Sequence, residues 1–195
     1  MSSKKVQHYM ILIIVFFVFA NRASANIFIN EVQLSPTENR FIELYNSGNL
    51  PVDLTGWYIQ RKTANGYSFG SLVSKNYFDG VTIKPNDYLL ISRTGINNPD
   101  IIVDNLTLTK SNSIQIKSSS KKIIDSVTWG DIPNNKSSQR VSGGNWIIDS
   151  PTPKESNKIV ETSNGSNNNS TNTTINNTNN NSITYTQPDK FVRKI

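Results

Sequence analysis

Glu31 in IFINEVQ, Glu43 in RFIELYN and Asp125 in KIIDSVTW are the carboxylates whose surroundings could support chemistry. Glu31 and Glu43 fall on consecutive extended segments, and a glycosidase needs two carboxyls about 5–9 Å apart across a cleft. That leaves one enzymatic reading, a carboxylate-dependent hydrolase or an accessory domain of a surface hydrolase. Other chemistries lack their residues. The chain of 195 residues has no Cys and a single His, His8. A thiol nucleophile and a Cys/His zinc site are therefore excluded, and a Ser-His-Asp triad is lost if His8, which lies within the leader-like residues 1–25, is removed. Ser118-Ser119-Ser120-Lys121 fits the loose S-x-x-K pattern, but in a polar turn between strands and not on a helix. Asp100, Asp104 and Asn105 could hold calcium only irregularly, since no D-x-[DN]-x-[DN]-G loop is present, and they read better as turn formers. No metal and no cofactor is expected. The paired acids also have a plainer reading. Alternation puts Ile42 and Leu44 on the inner face of their strand and Phe41, Glu43 and Tyr45 on the other. Glu31 and Glu43 are then solvent-facing or salt-bridged structural residues, and the expectation is a protein that is not an enzyme.

The segments around those acids divide the chain into three parts. Residues 1–25 carry Lys4 and Lys5, the apolar run Met10–Ala20 and the small residues Ala23-Ser24-Ala25, the pattern of a signal peptide cleaved after Ala25. The apolar run is shorter than the ~20 residues a membrane-spanning helix needs. Cleavage would remove His8 together with Lys4, Lys5 and Arg22, leaving 17 basic against 14 acidic residues, a charge of +3 where the whole chain has +6. Residues 26–157 read as the folded domain. Residues 158–195 include ten Asn within 161–184 and too little apolar surface to offset the entropy of ordering, so a disordered Asn/Ser/Thr-rich tail is expected. The reading places the protein at the cell surface, in the periplasm or outside the cell.

Within 26–157 the apolar period is two. Strands are expected near 27–33, 40–46, 50–54, 57–62, 66–69, 81–84, 87–92, 106–109, 113–117, 122–129 and 138–141. Asn46-Ser47-Gly48, Asn65-Gly66, Asp79-Gly80 and Gly143-Gly144 separate them with turn chemistry. Many short strands without a helical stripe make an all-β sandwich or barrel. Trp57 and Ile59 share a structural inner face. Tyr88-Leu89-Leu90-Ile91 is apolar on both faces, which suggests a central strand or one covered by a loop. Asp125 shares a face with Ile123, Val127 and Trp129. Either a bulge re-aims it, or it accepts hydrogen bonds from backbone or from a cation such as Arg140.

For binding, the loop-rich stretch 61–80 presents Tyr67, Phe69, Tyr77 and Phe78 beside Arg61 and Lys62. Aromatic faces there could stack on sugar rings, and loops commonly carry function. A charge of +3 is a weak footprint for nucleic acid, which is disfavoured as a partner. Protein or a cell-envelope polymer is the expected one. Self-association through an exposed strand edge is a further structural possibility.

The order IFINEV, FIELYNSG, PVDLTGWYIQ, VTIKPNDYLLIS, SIQIKSSSKKIIDSVTWGD and SSQRVSGGNW…PTP resembles the lamin tail domain over residues 26–157. The resemblance implies an immunoglobulin-like β-sandwich and, from secreted bacterial members, an envelope or extracellular interaction module. It brings no catalytic residues to carry over, so a non-catalytic binding module is the leading reading.

Overall fold

The computed structural model describes residues 26–157. The expected signal peptide and the expected tail both lie outside the described residues. Within them, one sheet contains β1 (Ile27–Gln33), β2 (Phe41–Asn46), β7 (Tyr88–Ser92), β8 (Ile101–Ile102), β11 (Ser137–Arg140) and β12 (Trp146–Asp149). Their order is β12-β11-β1-β2-β7-β8, antiparallel except for the parallel β7–β8 pair. A second sheet, β10-β9-β4-β5, uses β4 (Tyr58–Thr63), β5 (Gly70–Val73), β9 (Asn112–Lys117) and β10 (Ile123–Thr128). The short strands β3 (Val52–Asp53) and β6 (Thr82–Ile83) pair separately.

Period-two patterning builds the core between the sheets. Ile29, Ile42, Leu44, Leu89 and Ile91 face Ile59, Val73, Ile114, Ile116 and Val127, with Trp57 packed partly buried against them. Each buried aliphatic side chain contributes about 1.5–3 kcal/mol of transfer free energy. The architecture is the all-β, immunoglobulin-like sandwich expected.

Local differences have identifiable causes. The strand expected at 66–69 lies at Gly70–Val73, because Arg61 pairs with Gly70 and the residues between them form the hairpin connection. Leu72 and Val73 supply the buried contacts there. The expected strand at 106–109 is a loop that mimics alternation. Leu106 and Leu108 are fully buried, but their N–H groups bond Val103 and Leu106 carbonyls in tight local turns. The paired strand nearby in sequence is instead β8, and a further unexpected strand, β12, lies at the opposite edge of the six-stranded sheet.

Asp125 lies opposite Ile116 on the core side of its strand, after a register shift between Ile123 and Asp125 that leaves Ile123 exposed. Ile123 therefore does not share the buried face of Val127 and Trp129. The Asp125 carboxylate reaches across to β1, where Oδ2 accepts the Ile29 N–H at 2.9 Å and an Arg140 Nη2–H at 2.6 Å. Arg140 Nε donates to the Ile29 carbonyl at 2.9 Å. The β1–β11 ladder runs only from Glu31 to Gln33. Past its end, the Asp125–Arg140 pair supplies the donor and acceptor that Ile29 would otherwise lack. Arg140→Leu strands a part-buried carboxylate and the Ile29 carbonyl, and should cost about 3 kcal/mol by urea unfolding. Adding Asp125→Asn to that variant should recover part of the loss, the mark of a coupled pair.

Candidate functional site

Glu31 and Glu43 are brought together, opposite one another in the β1–β2 register. Both side chains are fully buried, which corrects the expectation that they are solvent-facing or salt-bridged. The cover is the segment 150–157, which crosses the outer face of the six-stranded sheet as a strap. Thr152 donates its N–H to Glu31 Oε1 at 3.0 Å and its hydroxyl to Oε2 at 3.0 Å. Gln139 Nε2 adds a bond to Oε1 at 3.2 Å. Glu43 accepts Asn30 Nδ2 on Oε1 at 2.7 Å and the Lys154 N–H on Oε2 at 2.5 Å. Asn157 ties the end of the strap to the carbonyls of Asn30 and Arg140 at 3.1 and 2.7 Å. The same cover buries Leu90, directly opposite Glu43, so β7 is apolar on both faces for the second of the two reasons considered.

The electrostatics follow from that burial. Desolvation raises the Glu43 carboxyl from 4.5 to about 8, against the lowering effect of its hydrogen bonds, and the neighbouring Glu31 charge adds to the rise. Glu31 is raised for the same leading reason, opposed by bonds from Ser137, Thr152 and Gln139. The two acids have no open cleft between them, and Asp125 is bound to Arg140. The paired-carboxylate hydrolase therefore has no accessible acid–base pair among the described residues. Ser118–Lys121 is a hairpin turn, with Lys121 N–H bonded to the Ser118 carbonyl at 2.8 Å. Asp100 is occupied by the Leu90 N–H and by Lys154 Nζ, each at 2.8 Å. Among the described residues no three His, Cys, Asp or Glu gather where they could hold a metal.

Beside the strap lies an open cleft of about 430 Å³. Its floor is a row of rings in register across three strands. Phe28 pairs with Tyr45 and Tyr45 with Tyr88, at centroid separations of 5.4 and 4.7 Å. All three rings are half-buried. Arg140 closes one side, its guanidinium 5.1 Å from the Phe28 ring and 4.9 Å from that of Trp146. The β11–β12 turn forms another wall, with Gly143 and Gly144 at φ of 78° and 80°, a backbone that side chains rarely tolerate. Asn30, Ser156 and Asn157 add polar groups at the rim.

The residues proposed from sequence for binding separate. Phe78 is fully buried in the core and is corrected from binding residue to packing residue. Its place in a single 3₁₀ turn, Lys75–Phe78, turns it inward while Tyr77 stays exposed. Tyr67 is fully exposed at the β4–β5 connection. Phe69 is half-buried under Lys62, whose Nζ lies 5.5 Å from the ring centroid. Arg61 donates to the Thr107 carbonyl. These groups do not join the aromatic row, which belongs to the other sheet. The row itself was missed, although Phe28, Tyr45 and Tyr88 each sit at outward positions of expected strands. Their common placement needed the register.

The family model of the Lamin Tail Domain matches residues 20–131, more than half of the chain. The chain belongs to the lamin tail domain family. No curated protein matches it. A lamin tail domain is a non-enzymatic, immunoglobulin-like interaction domain, in keeping with the buried state of the acids here. The match stops before β11, β12 and the strap. In this lamin tail domain those segments complete the first sheet and supply Arg140, the glycine turn and the cover over the glutamates. Among the described residues no helix is long and apolar enough to cross a membrane.

The acid pair gives the domain a defined pH response. Glu43 binds its proton more tightly folded than unfolded. Its favourable contribution is thus complete below about pH 4.5 and is lost as pH rises through about 8. Melting temperature should fall over that window, by the equivalent of a few kcal/mol at order-of-magnitude level. Glu43→Gln, which cannot ionise, should flatten the slope in a pH series of thermal melts.

Proposed function

We propose that this lamin tail domain is a non-catalytic, exported binding module that docks a protein segment or an envelope polymer on the Phe28–Tyr45–Tyr88 row. The observation that carries the reading is the alignment of three half-buried rings across neighbouring strands, in an open cleft edged by amide and hydroxyl groups. Aromatic faces provide apolar contact area at small entropic cost, while polar rims orient a ligand. Glu31, Glu43 and Asp125, the carboxylates considered for acid–base chemistry, are occupied by contacts within the fold. Export rests on the leader-like residues 1–25, and the Asn-rich 158–195 would act as a spacer or tether outside the cell. Nucleic acid is disfavoured because the cleft holds a single cation, Arg140, and that cation is paired with Asp125.

Retention on isolated cell envelopes, soluble glycans and duplex DNA checks this directly. The full chain should bind envelopes or a glycan. Tyr45→Ala and Tyr88→Ala should each weaken binding about tenfold, roughly the loss of one stacking contact. Tyr67→Ala should leave it unchanged. Retention on neither envelopes nor glycans, retention on duplex DNA alone, or equal retention by both cleft variants, would remove the reading.

A further inference from the structure

Three guanidinium groups gather at the other end of β2 and β7 from Tyr45 and Tyr88. Arg40 immediately precedes β2 and Arg93 immediately follows β7, and the Arg93 N–H bonds the Arg40 carbonyl at 3.0 Å. The turn after Arg93 is fastened by Gly95 N–H to the Glu38 carbonyl at 3.0 Å. The approach is so close that a Cβ at Gly95 would lie 2.6 Å from that oxygen. Arg61 comes from the opposite sheet. On β4 it stands across from Ile114, a core residue, so it shares the face that looks between the sheets.

Among the described residues no carboxylate pairs with these three arginines. Arg61 bonds the Thr107 carbonyl, and Arg40 Nε bonds the Leu34 carbonyl at 2.9 Å, both uncharged acceptors. The ion pairs of the described residues use Lys110, Lys136, Arg140 and Lys154 instead. Burial, and then the charges of Arg93 and Arg61, push the Arg40 guanidinium below its ordinary value. Arg93 Nε is buried with no acceptor. Close like charges and an unmet buried donor each cost free energy, and a bound anion would relieve both.

We propose that Arg40, Arg61 and Arg93 form a binding site for a tetrahedral oxyanion, phosphate or sulfate, borne by a ligand of this domain. A carboxylate carries one charge on two oxygens, which a single guanidinium fork can match. Three cations, two flanking the ends of β2 and β7 and one on β4, suit the higher charge and the additional oxygens of phosphate or sulfate.

Thermal unfolding of the full chain in inorganic phosphate, in sulfate and in chloride at equal ionic strength tests the site. Phosphate or sulfate should raise the melting temperature by about 3 °C or more over chloride. The larger shift identifies the group preferred. Arg61→Gln and Arg93→Gln should each lose at least half of that rise, and Lys84→Gln, on an exposed surface, should keep it. Each variant is referred to its own melt in chloride, so a change in basal stability does not mask the effect. Equal melting in all three salts, or an undiminished rise in both arginine variants, would overturn the proposal. The aromatic-row variants should keep the full rise, which separates this site from the cleft.

Discussion

Ile29 must find partners for its N–H and carbonyl at the point where the β1–β11 ladder stops, and side chains provide both. Asp125 comes from the edge of the second sheet and Arg140 from β11, so one ion pair finishes a strand and fastens the two sheets together. The geometry leaves Arg140 little freedom. Its Nε is committed to Ile29 and its Nη2 to Asp125, and the plane of the group lies near both Phe28 and Trp146. A lysine could supply the charge but not this fork, nor the flat cation that meets the rings. The wall of the aromatic cleft is therefore set by the same contacts that close the sandwich. A ligand would meet a surface already fixed by folding, which limits the ordering cost of binding.

The second constraint is the cover over Glu31 and Glu43. Two carboxyls facing one another beneath a strap are costly to ionise, and an apolar pair would pack with less penalty. What the acids supply is direction. Their oxygens accept the N–H groups of Thr152 and Lys154, which no strand pairs, so the strap crosses the sheet in one defined position. That position brings Ser156 and Asn157 to the cleft rim. Fold stability and the shape of the candidate site thus depend on the same unfavourable burial.

The legible part of this molecule is the part encoded locally. Ile42 and Leu44, Ile114 and Ile116, and the turn signals between them are enough to locate the main strands and a sandwich. Asp125 is legible as an anomaly, an acid on an apolar face that requires a partner, and Arg140 was within reach because it is the basic residue of a neighbouring strand. The burial of Glu43 was not legible. Its outer face looks solvated until residues more than a hundred positions later fold over it. Leu106 and Leu108 mislead for the opposite reason, since alternation in an inward-pointing loop copies that of a pleated strand. Phe78 and Tyr77 are adjacent aromatics with opposite fates, decided by the orientation of one 3₁₀ turn. The arginine cluster needs the register of two sheets, because its members are separated along the chain and share no motif.

Charge, too, changes meaning once the fold is known. A balance of +3 for residues 26–195 treats every acid as an exposed negative charge. Yet Glu43, raised to about 8, is largely protonated at neutral pH, and Glu31 lies beneath the same strap. Asp100, Asp125 and Asp131 are held by Lys154, Arg140 and Lys110. These five acids are thus spent on internal or local contacts, while no ion pair among the described residues uses Arg40, Arg61 or Arg93 at one mouth of the sandwich. Long-range attraction follows the arrangement of unpaired charge more than the sum. A modest net charge is therefore compatible with a locally cationic end, at the opposite end of β2 and β7 from the neutral aromatic row, and one rigid sandwich can present both to the same ligand or to two.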